Sequence, residues 1–277
     1  MSNKPKYIFL DIDGTLVGYD AKIPPSALRA LTLAQANGHR IFIASGRARG
    51  IVYPWLLEAF PFDGMITAGG AQVFLGGKCI YESVMSEDDL TFVTEYFHRE
   101  NIFFNAAAST RTYAEQTFVD IVLPAMIKAG YNAELVNKTF RDVVVLDTVV
   151  KQRDIEKLSF FNSRHNIQKI SDDLQGRFYV TDFSMGDAVV DTYFGEMNLA
   201  GVDKASGIRH ILEATGGSIE DTIAIGDSRN DAEMLAYVGT AVAMGNGTEY
   251  IKKMAHLVTT PIDEDGIYNA FLSLGLI

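Results

Sequence analysis

Short apolar, β-branched runs alternate along this chain with stretches whose apolar residues recur at helical spacing. Residues 7–10, 40–44 and 64–67 read as strands toward the amino end, and residues 222–225, 240–244 and 256–259 as strands toward the carboxyl end. Residues 25–37 and the segment following residue 44 through about 60 read as helices, as do the stretches between the late strands. Strands apolar at nearly every position suit a parallel sheet covered on both faces. Ligands of such sheets sit at the carboxyl ends of the strands. The residues just after each strand are therefore where chemistry is expected.

The middle of the chain has a different texture. Residues 86–100 predict a helix with Ser86 as its N-cap and Glu87, Asp88 and Asp89 in the first turn. Residues 102–108 and 112–115 pair as strands around Ser109-Thr110-Arg111, and 118–129 form a helix broken or bent by Pro124. A strand over 155–161, a helix over 167–174 and two strands over 178–183 and 188–197, joined through Met185-Gly186-Asp187, complete the segment. This pattern predicts an inserted domain with its own core, flanked by the two parts of the first sheet.

Composition narrows the class. Of 277 residues, 48% are hydrophobic and 21% charged, a balance that excludes a disordered or fibrous chain. The net charge of -11 argues against a broad nucleic-acid surface but leaves room for a small anionic substrate held by a local cluster of cations. Cys79 is the single cysteine, so no internal disulfide forms. The apolar run before Asp11 is short for a secretion signal, and no stretch reaches the roughly 18 apolar residues of a membrane span. A cytoplasmic protein with no nucleic-acid or membrane partner is the expectation.

Four pieces at strand or helix junctions carry the chemistry: Asp11-Ile12-Asp13-Gly14-Thr15-Leu16, Ser45-Gly46-Arg47, Gly201-Val202-Asp203-Lys204 and Gly226-Asp227-Ser228-Arg229-Asn230-Asp231. In an extended chain Asp11 and Asp13 face one side. Asp227 and Asp231, four apart where a helix begins, share a face. Four converging carboxylates repel unless a cation lies among them or one stays protonated. A hard oxygen-seeking ion such as Mg²⁺, together with a phosphate, suits them. Lys204 in a first helical turn opposes the helix dipole unless an anion is near. Ser45 and Gly46, with a hydroxyl and backbone N–H groups at a helix start, make a phosphate seat. A calcium loop counted from Asp11 fails, because Leu16 and Lys22 stand where Gly and Glu are needed. Asp231 is also readable as an ordinary helix-start acid, and Arg47 and Arg49 as either substrate contacts or structural pairs. The five histidines show no metal spacing.

These motifs resemble the haloacid dehalogenase-like superfamily, and within it the Cof-type phosphatases. DIDGTL, SGR, GVDK and GDSRND carry the likeness, with AMGNGTEYIKKMA (243–255) and DEDGIYNAF (263–271). The resemblance implies a Rossmann-like doubly wound parallel sheet core (1–82 and 191–277) with an α/β cap domain inserted over 83–190. It implies Asp11 as nucleophile and Asp13 as general acid and base. Mg²⁺ would be held by Asp11, the backbone carbonyl of Asp13, and Asp227. Ser45, Lys204 and Asn230, with the N–H groups of Ile12 and Gly46, would hold the phosphoryl oxygens. Asp231 would orient Lys204 or a metal-bound water, and Arg47 is a candidate substrate contact. Gly69 stands where many relatives carry Asn. The implied activity is hydrolysis of small phosphorylated metabolites by a monomer or homodimer. A phosphomutase on the same core, needing several cap cations, and a catalytically silent phosphometabolite-binding protein are the alternatives.

Overall fold

The computed structural model describes residues 4–18, 20–128, 133, 136–137, 140, 142–182 and 193–277. The chain divides into two compact units: residues 1–46, 52–82 and 203–277 form the first, and residues 47–51 and 83–202 the second. Strands are numbered along the chain, β6 to β11 lying in the second unit.

The first unit is built on an eight-stranded sheet of β1 (Tyr7–Leu10), β2 (Arg40–Ala44), β3 (Gly64–Thr67), β4 (Gln72–Leu75), β5 (Lys78–Glu82), β12 (Thr222–Gly226), β13 (Thr240–Ala243) and β14 (Leu257–Val258). Their spatial order is β14-β13-β12-β1-β2-β3-β4-β5. The first six in that order run parallel. Successive strand residues point to opposite faces, and both faces are covered. Ile8, Leu10, Ile41, Ile43, Ile223 and Ile225 pack with the helices Pro25–Ala36 and Gly266–Ser273 through Leu31 and Phe271. Phe9, Phe42, Ile66 and Ala224 pack on the other side with Ile208 and Ile211 of the helix Lys204–Thr215 and Met234 and Leu235 of the helix Ala232–Tyr237. Each such burial contributes about 1.5–3 kcal/mol.

The connections after β1 and β12 leave in opposite directions, toward β2 and toward β13. The gap between their carboxyl ends is the switch point where doubly wound sheets bind ligands.

Two sequence expectations need correction here. The sheet is not parallel throughout, because two further strands extend it beyond β3, β4 pairing antiparallel with β3 and β5 antiparallel with β4. Gly76 and Gly77, both at positive φ, close the β4–β5 hairpin. Nor does a helix begin after β2. Residues Arg49–Ile51 form one tight turn and the helix starts only at Pro54, running Pro54–Ala59. Proline disfavours helical geometry at the residue before it, and Tyr53 is accordingly extended, with φ -58° and ψ 117°.

The second unit carries a sheet in the order β10-β11-β9-β6-β7-β8: β6 (Phe103–Ala108), β7 (Thr112–Ala114), β8 (Val144–Val145), β9 (Ile155–Ser163), β10 (Phe178–Asp182) and β11 (Tyr193–Leu199). All neighbours are antiparallel except β7 and β8. Leu90, Val93 and Phe97 of the helix Glu87–Glu100 pack on Phe104, Leu158 and Phe160. Ser86 and Asp89 form a reciprocal cap at its start, as the acidic first turn anticipates. The bend expected at Pro124 is taken up by a wide turn just ahead of it. Over Phe118–Val122 the backbone is π-helical, and the Leu123 N–H reaches back five residues to the Phe118 carbonyl before the helix Leu123–Lys128 continues. The expected turn through Met185-Gly186-Asp187 and the helix end at 129 lie outside the described residues.

Candidate active site

Asp11 is the first residue past β1, and its N–H still donates to Ile225 O (3.1 Å) on β12. The chain then curls. Ile12 O accepts the N–H groups of Leu16 (3.0 Å) and Val17 (2.7 Å), and Gly14 N–H donates to Val17 O (2.9 Å). Gly14 sits at φ +83°, and a Cβ there would lie 2.5 Å from Asp227 Oδ2, so only glycine fits this corner. Asn246 Nδ2 donates to Gly14 O (2.8 Å) while Ile262 N–H donates to Asn246 Oδ1 (2.9 Å), tying the curl to the loop after β13. Thr15 Oγ1 donates to Asp227 Oδ1 at 3.1 Å.

The loop after β12 is organised by Asp231, whose side chain is fully buried. Its Oδ2 accepts the N–H groups of Asp227 (2.9 Å) and Ser228 (3.1 Å), and its Oδ1 receives the Lys204 ammonium at 2.6 Å. Lys204 Nζ also donates to Asp11 Oδ1 at 2.6 Å. Lys204 opens its helix behind Asp203, whose Oδ1 accepts the Ser206 N–H at 2.7 Å. Gly70, at φ +111°, lies so close that a Cβ would meet Asp203 O at 2.1 Å.

Asp11, Asp227 and Asp231 each offer a carboxylate oxygen within 4.8 Å of the others. Set against the Lys204 ammonium, the ionised cluster carries a net charge of -2. Burial first, and then repulsion among the neighbouring acids, holds the Asp11 carboxyl well above its usual range despite Lys204. Burial and the charge of Asp231 push Asp227 up to about 7, against the opposing hydrogen bond from Thr15. Burial works to lower Lys204, but attraction to Asp11 and Asp231 overrides it and raises the ammonium above its ordinary value. An excess of buried negative charge on hard oxygen donors fits a small divalent cation.

The remaining candidates are placed as follows. Asp13 is exposed and stands outside this three-acid cluster. Its charge nevertheless reaches the cluster, adding to the upward push on both the Asp11 and the Asp227 carboxyls. Asp13 Oδ1 also accepts a hydrogen bond from Tyr53 Oη at 3.3 Å. Ser45 is buried at the end of β2, but its N–H donates to Ile66 O (2.8 Å) and its carbonyl accepts from Gly69 N–H (3.0 Å). That backbone amide is thus committed to the sheet rather than offered to an anion. Gly46 follows it, half-buried, and Ile12 buries its side chain in the core. Asn230 is half-buried, its Oδ1 accepting from Ser228 Oγ (2.9 Å). Arg47 Nη1 donates to Ile51 O at 3.2 Å, a structural contact within the second unit. The reading of Asp231 as an ordinary helix-start acid is overturned by its burial and by its pairing with Lys204, itself buried.

Thr15, Tyr53 and Asn246 received no role from the sequence. Thr15 and Asn246 stand inside motifs already singled out, so position within them was the available signal. Tyr53 carries no such mark.

A family model described as haloacid dehalogenase-like hydrolase matches residues 8–271. The chain belongs to this family. YkrA of Bacillus subtilis (strain 168), a protein named as a phosphatase, is 30% identical over 275 residues covering 98% of both chains. Among solved structures, the subclass IIB sugar phosphatase BT4131 of the superfamily superposes with a TM-score of 0.80 at 28% identity, covering 98% of this chain and 100% of that one. BT1666 from Bacteroides thetaiotaomicron, a phosphatase of the same superfamily, gives 0.83 at 25% identity, covering 99% and 96%. The expected fold class, a doubly wound α/β core with an inserted cap, is the one these haloacid dehalogenase-like relatives share. The expectation of a hydrolase of phosphoric monoesters holds with it. Among the described residues no helix is long and apolar enough to cross a membrane.

Proposed function

We propose that this chain is a Mg²⁺-dependent phosphatase of small phosphorylated metabolites, sugar phosphates or related monoesters, working through an aspartyl-phosphate on Asp11. The observation that carries the reading is the Lys204 ammonium bridging Asp11 and Asp231 at 2.6 Å each, with Asp227 in the same carboxylate cluster. Of the two oxygens of Asp11, one is thereby oriented by a cation, as a nucleophile aimed at phosphorus requires.

In the first step a carboxylate oxygen of Asp11 forms a bond to phosphorus as the ester P–O bond breaks, and Asp13 gives its proton to the leaving alkoxide. In the second, water attacks the phosphorus and surrenders a proton to Asp13, and the Asp11 carboxylate departs from inorganic phosphate. Lys204 and the Ser45 hydroxyl, with Asn230 and the N–H groups of Ile12 and Gly46, would neutralise and hold the phosphoryl oxygens. Asp231 keeps Lys204 in place. Asp11, Asp227 and the Asp13 carbonyl would hold the Mg²⁺, which when bound supplies charge neutralisation for the phosphoryl group.

The sugar phosphatase BT4131, 28% identical over nearly the whole chain, supports the substrate class. Hydrolysis is favoured over phosphoryl transfer back to an intermediate. Two of the inserted domain's cations are paired with acids, Arg153 with Glu87 and Lys157 with Glu196 (2.6 Å).

The test is phosphate release from a broad panel of phosphomonoesters with Mg²⁺ present. Turnover stops on chelation and returns with Mg²⁺. Asp11→Asn abolishes it, and turnover at the wild-type level in that variant overturns the assignment.

A further inference from the structure

We infer that Tyr53 is a positioning residue for Asp13, holding its carboxyl group in line for proton exchange with the leaving oxygen; the inference rests on the phosphatase reading of the site. Asp13 is the one acid of the first motif that the buried cluster does not immobilise. Its backbone is fixed by the curl around the Ile12 carbonyl and by its pairing with Val17. The Tyr53 phenol meets its side chain directly, Oη to Oδ1 at 3.3 Å, across 40 residues of sequence.

Tyr53 is itself held from three sides. Its backbone is pinned in an extended conformation by Pro54 at the start of the helix Pro54–Ala59, with its carbonyl accepting the Leu56 N–H at 3.0 Å. Its ring stacks on Trp55, centroids 5.2 Å apart and planes 25° from parallel. Both rings pack against the core beneath β1 and β2. A phenol has only two side-chain torsions, and stacking on Trp55 with packing against the core restricts both, so its hydroxyl has little freedom to move. A hydrogen bond from so restricted a hydroxyl to one carboxyl oxygen biases the rotation of the carboxyl and hence the direction of the other oxygen. Misplacement of a proton donor by an ångström costs up to about 100-fold in rate, so orientation of this kind matters.

The consequence depends on the leaving group. A sugar alkoxide needs a proton as the P–O bond breaks, whereas p-nitrophenolate leaves without one. Because kcat/KM reports steps only through departure of the leaving group, it isolates the proton transfer from the later hydrolysis. Tyr53→Phe keeps the ring and deletes the hydroxyl. With Mg²⁺ present, kcat/KM for a hexose 6-phosphate falls about tenfold in this variant, while that for p-nitrophenyl phosphate stays within about twofold of wild type. In an Asp13→Asn background the same substitution adds no further loss, since Tyr53 acts only through Asp13. Fluorescence of Trp55, the single tryptophan, stays at the wild-type maximum and shows that the ring packing survives.

Equal losses on the two esters, or a further loss on top of Asp13→Asn, would assign Tyr53 to general structure and overturn the inference. So would an unchanged kcat/KM on the hexose phosphate while Asp11→Asn is inactive. Retained turnover in Asp11→Asn strikes instead at the phosphatase mechanism, so the two failures are told apart.

Discussion

Asp231 builds the site around Asp227: one of its oxygens accepts the Asp227 N–H at 2.9 Å while the other receives Lys204 at 2.6 Å. A single buried carboxylate thus fixes the loop that presents one candidate metal ligand and the ammonium that faces the candidate nucleophile. In Asp231→Asn the amide oxygen still accepts the loop N–H groups, but the cluster loses one negative charge and Lys204 one of its two counter-ions. Turnover falls at least about tenfold and Mg²⁺ is bound more weakly, with the fold retained. Steady-state kinetics across a Mg²⁺ titration checks this, and wild-type kcat at every concentration contradicts it.

Gly14 occupies a corner that no other residue can. Gly14→Ala places a methyl group against the Asp227 carboxylate and forces an L-residue into φ +83°. The backbone cost is about 1–2 kcal/mol. The displacement of Asp227 costs at least about 100-fold in kcat/KM. Thermal melting and kinetics on the same preparation separate the two effects, and normal kinetics in a merely less stable protein would contradict the displacement.

Thr15 lends Asp227 a hydroxyl at 3.1 Å. Thr15→Val keeps the volume and removes that donor. Mg²⁺ affinity drops by about 10- to 100-fold, as is usual when a partner of a metal-binding carboxylate is lost. Calorimetric titration with Mg²⁺ measures it directly, and an unchanged dissociation constant refutes the role.

The raised Asp227 makes stability and metal binding respond to pH in opposite ways. Its folded value near 7 lies above its ordinary 3.8, so between those values the folded chain binds more protons than the unfolded one. The metal-free protein therefore loses stability as pH rises through 7. Mg²⁺ competes with that proton, so its stabilising effect grows over the same interval. Melting curves with and without Mg²⁺ at pH 6 and pH 8 test both signs. A larger Mg²⁺-induced rise in Tm at pH 6 would show that Asp227 is not a ligand.

Much of this was visible in the residues, and the failures have identifiable causes. Continuous apolar runs such as Ile8 to Leu10 announce buried parallel strands, and the acids directly after them locate the crevice. The β4–β5 hairpin escaped because Lys78, Cys79, Ile80 and Glu82 are exposed and show no apolar alternation. Its real signature is the Gly76-Gly77 turn. The helix expected after Ser45 ignored Pro54, whose effect reaches back to Tyr53. The Lys204 contacts join residues 193 and 27 positions apart, and no local pattern can specify such pairs.

The two outer strands of the large sheet are both poor templates for another chain. At one rim β14 has two residues. At the other, β5 shifts register against β4 between Val73 and Phe74 and bears Lys78 and Glu82 at its ends. Such rims resist edge-to-edge accretion, so the sheet ends where the polypeptide ends it, and crowding does not recruit neighbouring molecules into a growing ribbon.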